Sequence, residues 1–169
     1  FAWDAQERAA LGESERIEAR NERLWAALEH AETSDSVPNS DEQRQVRITN
    51  AYRRMLGRRA LAWNPRLEAA AQGHSDHMAN TGDFAHEEQG DPARSTPTDR
   101  AKLAGYPSGA SENISMGRGD PQSAHEGWTH SSGHHRNLLM QSHREMASAI
   151  ASSYWTQNFG TDASFQSDL

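Results

Sequence analysis

Three separated fragments carry side chains that could hold a cation or move a proton. The stretch Trp128-Thr129-His130-Ser131-Ser132-Gly133-His134-His135-Arg136-Asn137-Leu138-Leu139 packs an aromatic anchor, a glycine turn, adjacent imidazoles and an amide close together. Phe84-Ala85-His86 follows a histidine-bearing helical run, and Ser111-Glu112-Asn113-Ile114 leads from a carboxylate into an apolar residue. Neutral imidazole is the commonest side-chain metal ligand near neutral pH, and two imidazoles with a carboxylate match a tetrahedral site with one open position. His86, Glu112 and one of the adjacent histidines form such a set. A second chemistry uses the same residues: Ser131, His134 and Glu112 could be drawn as a serine hydrolase relay, although no oxyanion hole is identifiable.

The other polar and aromatic candidates have structural explanations. His135 follows His134 directly, so on an extended or turn backbone only one ring faces a shared cleft. His74 and His77 lie three apart on a helix and read as half core, half surface rather than as a metal pair. His125 and His130 flank Trp128 in a helix-like stretch, with structural or solvent-facing roles. Asn137 is expected to tie backbone through its amide. Trp63, Trp128, Tyr154, Trp155 and Phe159 read as core, whereas Tyr106, in a turn between Gly105 and Pro107, is expected to line the cleft. Arg118-Gly119-Asp120 is read as a chance tripeptide, and Asn113-Ile114-Ser115 as an unused glycosylation sequon. Zincin, nucleophile-elbow and phosphate-loop patterns are missing from the sequence, as is any cysteine nucleophile.

These residues must be positioned by mixed helices and strands. Residues 4–31 lack proline and are dense in Ala, Glu, Arg and Leu, predicting a long helix. Trp3, Ala10, Ile17, Leu24 and Ala31 recur at seven-residue steps with Leu28 beside them, a narrow apolar seam. The seam predicts an arm packed on its own domain; a weak dimer through this helix is the other option, with Ser14 and Asn21 in the companion positions against it. Residues 33–40 read as a polar linker. Ser40 is the expected N-cap of a helix over 41–56, and Arg53-Arg54 with Arg58-Arg59 reads as its solvated face. Asn64-Pro65 opens the next helix, which Gly82 closes. Loop with a short helix over 98–104 follows, then a strand over 112–116, a helix over 121–130 and a closing hairpin over 144–152 and 154–159.

The chain has 169 residues with 34% hydrophobic content, which suits one modest core with something appended. Its formal charge of −7 argues against a nucleic-acid partner. With no cysteine there is no disulfide and no thiolate metal site. No apolar run approaches the roughly 20 residues that span a bilayer, and Phe1-Ala2-Trp3-Asp4 is no signal peptide, so a removed leader or a trimmed chain is expected.

Asn50, Arg53, Gly57, the run Leu61-Ala62-Trp63-Asn64-Pro65-Arg66-Leu67, Ala70, His74, Met78, His86, Arg100, Gly105-Tyr106, Glu112-Asn113-Ile114, Trp128, Ser131, Gly133-His134, Asn137-Leu138-Leu139 and the run from Tyr154 through Gly160 stand in the order and approximate spacing of one family. By these residues the chain resembles the bacterial branch of the CAP superfamily, which includes cysteine-rich secretory proteins, antigen 5 and pathogenesis-related proteins, and whose domain is also called the SCP domain. The resemblance implies an α+β fold, the CAP/SCP α-β-α sandwich with a small antiparallel sheet, here preceded by a long N-terminal helix. The implied division is an arm over 1–32, a linker over 33–40, the CAP-like domain over 41–160 and a tail over 161–169. It implies an exported protein, secreted or in the cell envelope, with a cleft of two histidines and two acids. His86, Glu112 and His134 match three of these positions, and Ser131 stands where the second acid would fall. The expected cleft is therefore His86, Glu112, Ser131, His134 and Tyr106, with His86, His134 and Glu112 as ligands for zinc or another divalent cation, bound weakly and lost below pH ~6.5. The functional expectation is a module binding a small molecule, lipid, peptide or metal, without established catalysis; a metal-assisted or serine-type hydrolase and an envelope interaction module are the alternatives.

Overall fold

A computed structural model describes residues 5–30 and 37–168. Among the described residues six helices surround a four-stranded sheet: α1 (Ala5–His30), α2 (Ser40–Met55), β1 (Ala62–Trp63), α3 (Pro65–Thr81), α4 (Pro97–Leu103), β2 (Ala110–Met116), α5 (Pro121–Thr129), α6 (Ser132–Leu139), β3 (Glu145–Ala151), β4 (Tyr154–Gly160) and a closing 3-10 turn, Ser164–Asp168. Helices α2 to α5 begin where side chains satisfy their orphan amides. Asn64 accepts from the Arg66 and Leu67 amides ahead of Pro65, and Gly82 closes α3 with a φ of 74° that favours glycine. The N-cap of α2 is Asn39 rather than the expected Ser40, because Asn39 and Glu42 form a reciprocal capping box.

The strand order is β1-β3-β4-β2. β3 pairs antiparallel with β4 as the predicted hairpin, and β2 pairs antiparallel with β4 over its whole length. The short edge strand β1 is parallel to β3, so the sheet is mixed. Side-chain alternation shows that helices cover both faces. On β4, Thr156 and Asn158 hydrogen-bond to Ser75 and Leu67 of α3, while Gln157 between them reaches Thr49 of α2. Gly160 at the end of β4 is forced by packing: a Cβ there would lie 2.1 Å from the Tyr106 hydroxyl.

The core gathers Trp25, Trp63, Trp128, Trp155, Tyr106 and Phe159 with aliphatic residues. Trp25 belongs to α1, so the arm packs on its own domain, as the seam predicts, and supplies part of the core. Within its seam, Ile17 is fully buried and Leu24 and Leu28 pack against the core, while Trp3 and Ala31 lie outside the described residues. The seam's polar members explain the attachment. Asn21 bonds to the Leu61 carbonyl and the Trp63 amide, the Ser14 hydroxyl accepts from the Ala60 amide, and Arg20 donates to the Trp63 carbonyl. These groups pair the backbone beside and within β1, an edge that would otherwise lack partners. The expected tail is likewise packed: Phe165 is fully buried against Ile17, Ala60 and Ala62.

The arginine run at the end of α2 and in the turn after it is also corrected. Arg53 is 1% exposed and donates to the carbonyls of Arg59, Leu138 and Met140, while Arg54 and Arg59 pair with Glu18 and Glu13 of α1. Arg118 and Asp120 have structural roles as well: the Arg118 carbonyl accepts from Trp155 Nε1, and Asp120 caps α5. Asn113 is fully buried, so the sequon is sealed.

Candidate functional site

The site wraps around the free edge of β2. Glu112 and Asn113 are neighbours on that strand and point to opposite faces. On the α3 face, Glu112 accepts from His86 Nδ1 (2.9 Å) and from Arg100 of α4 (2.8 Å), and His74 Nε2 of α3 stands 3.6 Å away. On the other face, Asn113 donates to the His134 carbonyl (3.2 Å), and Asn137 donates to the Glu112 carbonyl (3.1 Å) and to Asn113 Oδ1 (3.0 Å). This amide pair fastens α6 to the strand. Asn137 thus ties backbone as its sequence context predicts, although from a helix rather than a loop. The His134 and His86 rings meet over the edge with centroids 6.5 Å apart.

The sequence does not predict α6, which runs Ser132–Leu139. Helical geometry separates adjacent side chains by about 100°, so His134 turns to His86 while His135 turns to α2 and meets the Tyr52 hydroxyl at 2.9 Å. Ser131 is the N-cap residue of α6, but its hydroxyl makes no capping hydrogen bond. Tyr106 does not line the cleft. It is 2% exposed, its hydroxyl donates to Glu145 (2.8 Å) and accepts from the Asp162 amide, and its glycine-flanked turn drives the ring into the core.

Glu112 is almost wholly buried, whereas the His86 side chain is 49% exposed. Each oxygen of the buried Glu112 carboxylate accepts one hydrogen bond, from His86 and from Arg100, so it orients His86 from behind. Anchoring Nδ1 leaves His86 Nε2 as the outward nitrogen, an arrangement that typically fixes the tautomer and raises the basicity of a ligating imidazole. Burial, and then the neighbouring His86 charge, lowers the His134 pKa, so its ring stays neutral further into acid than a free histidine. The expected set of three converging ligands is corrected on this geometry. Among the described residues no group of three or more His, Asp or Glu is arranged to hold a metal. The residues fit a two-imidazole site with Glu112 one shell further out. The drawn hydrolase relay is not assembled either, since Glu112 bonds to His86 and Arg100, not to His134.

The loop carrying His86 is held by a buried charge network that no local sequence signal reveals. Glu88 accepts from His74 Nδ1 (2.8 Å) and Arg94 Nε (2.9 Å), while Arg100 donates to the carbonyls of His86, Arg94 and Ser95. Burial would raise the Glu88 pKa, but the hydrogen bonds from Arg94 and His74 outweigh it and hold the carboxyl below its usual range. His74 Nε2 also donates to the Ala85 carbonyl (3.0 Å). Burial pushes the His74 pKa down. With Glu88 ionised, however, both contacts form only if the ring keeps both protons, and the hydrogen-bond geometry decides the matter. His74 and His77 stack with centroids 6.3 Å apart, but both His74 nitrogens are engaged inward, so the two do not form a helical metal pair.

A model of the cysteine-rich secretory protein family, CAP, matches residues 46–159. The chain belongs to the CAP family. Among curated proteins it is 27% identical over 123 residues to an uncharacterized membrane protein, YlbC, of Bacillus subtilis (strain 168), covering 73% of this chain and 35% of that protein. Among solved structures it is similar to an extracellular protein containing an SCP domain from Bacillus anthracis str. Ames, with a TM-score of 0.67, 29% identity, and coverage of 75% of this chain and 42% of that one. An outer surface protein from Borrelia burgdorferi shares the fold, with a TM-score of 0.67 at 15% identity, covering 74% and 95% of the two chains. The match therefore spans less than half the length of each of the two Bacillus proteins. Among the described residues no helix is long and apolar enough to cross a membrane.

Proposed function

We propose that this CAP domain is an exported binding module whose recognition element is the pair of imidazoles at the edge of β2. The observation that carries this reading is the Glu112–His86 hydrogen bond, which leaves His86 Nε2 outward beside His134. A divalent cation such as zinc is the ligand this chemistry suits best. His86 and His134 would hold it, Glu112 would fix the His86 ring from behind, and open positions would remain for water or a ligand oxygen. A bound ion would supply Lewis acidity to such an oxygen. With only two protein ligands, binding is weak. The extracellular SCP-domain relative and the outer surface protein support export. Titration calorimetry with zinc tests the reading: the parent should bind, and His86→Ala and His134→Ala should each abolish measurable binding. Equal binding by either variant and the parent would refute it.

A further inference from the structure

A second candidate site lies on the far side of α6. Arg58, His135, Arg136, Leu139 and Met140 line an open cavity of about 440 Å³ between the turn after α2 and the outer face of α6. Its walls are fixed from behind. The His135 ring is held by the Tyr52 hydroxyl, and the buried Arg53 guanidinium pins the carbonyls of Leu138 and Met140.

The charge of this cavity is opposite to that of the chain as a whole, which is −7. Arg54 and Arg59 on either side are neutralised by Glu18 and Glu13, yet no carboxylate pairs with Arg58 or Arg136 among the described residues. Arg58 Nε is sealed from solvent with no hydrogen-bond partner among the described residues, so the terminal nitrogens of its guanidinium are the donors left to face the cavity. The surrounding field is positive. Burial, followed by the charges of Arg58, Arg144 and Arg59, brings the Arg53 pKa down to about 10, and no acid is among the causes. Beside the cations lie apolar groups, Leu139 and Met140 in the wall, with Met55 and Leu56 exposed just ahead of Arg58.

The geometry points to a phosphate-binding site: Arg58 and Arg136 grip the phosphate of an organic monoester or diester, and its apolar part lies against Leu139 and Met140. Guanidinium forks match phosphate oxygens in pairs, and His135 offers a further polar edge. The site is separate from the His86–His134 pair and stands or falls independently of the zinc reading.

Binding of inorganic phosphate and of glycerol phosphate to the full chain, followed by amide and histidine NMR shifts, tests the proposal, together with sedimentation on vesicles of phosphatidylglycerol in phosphatidylcholine. Phosphates should shift Arg136 and His135, and Arg58→Gln with Arg136→Gln should weaken binding by about tenfold or more. Lys102→Gln on α4 should leave it unchanged. Because Arg58 is partly buried, the exposed single variant Arg136→Gln serves if the double variant fails to fold, and it too should weaken binding. Binding of the small phosphates without vesicle association identifies a soluble ligand; arginine-dependent association with the anionic vesicles identifies a lipid headgroup. The proposal is overturned if neither probe binds, or if the arginine variants bind as the parent does.

Discussion

Glu112 holds His86 by Nδ1 at 2.9 Å from a position that is itself buried, so a carboxylate hidden in the sheet sets the direction of an exposed imidazole. The same carboxylate accepts from Arg100, which ties down the loop on which His86 sits. Orientation of the ring and anchoring of the loop thus share one residue.

Glu112→Gln should therefore affect two readouts together. Removing one partner of the buried ion pair leaves Arg100 with only the Glu88 carboxylate, 3.6 Å from its Nε, and should cost about 3 kcal/mol in urea unfolding. Zinc affinity should drop roughly 10-fold or more, as for loss of an orienting group behind a ligand. Unchanged affinity in a folded variant would show that His86 is not directed by Glu112.

Asn137→Ala should separate positioning from ligation. It removes the donor to the Glu112 carbonyl and to Asn113, loosening α6 from β2 while leaving both imidazoles in the chain. Calorimetry is expected to show weaker zinc binding, and histidine NMR should show His134 displaced with His86 little altered.

Asn21→Ala should cost about 2 kcal/mol, because it leaves the buried Trp63 amide without its acceptor, while the Leu61 carbonyl keeps its bond from Asn50. A chain lacking residues 1–30 should lose near-ultraviolet circular dichroism, since Trp25 leaves a T-shaped contact with Trp63 at 6.3 Å. Retention of a cooperative transition and the aromatic signal would show that α1 is dispensable to the core.

Acid should weaken the fold through two buried histidines. Burial lowers His125 and His143 to about 4, with the Arg53 charge adding to the shift at His143. Between the unfolded value near 6.5 and about 4 the unfolded chain binds more protons, so their contribution is complete above pH ~6.5 and is lost as pH falls toward 4. Each contributes at most about 3 kcal/mol. Both His125 nitrogens lack partners among the described residues, and its ring meets Tyr52 edge-on at 5.0 Å. His125→Phe should keep that contact and flatten the stability profile between pH 4 and 6.5, a change readable by urea unfolding at several pH values.

Local chemistry made much of this fold legible. Asn64-Pro65 and Gly82 mark the ends of α3, and the β-rich run around Tyr154 marks the hairpin. The family pattern brought out His86, Glu112 and His134, whose rings and carboxylate meet across β2. Residues whose meaning depends on a distant partner were not legible. Ser14 and Asn21 weaken an apolar seam when read along one helix, yet they are the groups that pair the β1 backbone. Glu88 and Arg94 look like ordinary loop charges until His74, 14 residues before Glu88, is packed against them. Tyr106 misleads because its Gly-Tyr-Pro setting suggests an exposed turn, whereas the Glu145 carboxylate draws its hydroxyl inward.

The most direct test of the account is long-range proton–nitrogen NMR of the histidine side chains during a zinc titration. The account predicts that His86 carries its proton on Nδ1 before zinc is added, and that zinc perturbs His86 Nε2 and His134 first, leaving His74, His125 and His143 unmoved. A proton on His86 Nε2, or zinc shifts confined to histidines away from the edge of β2, would contradict it.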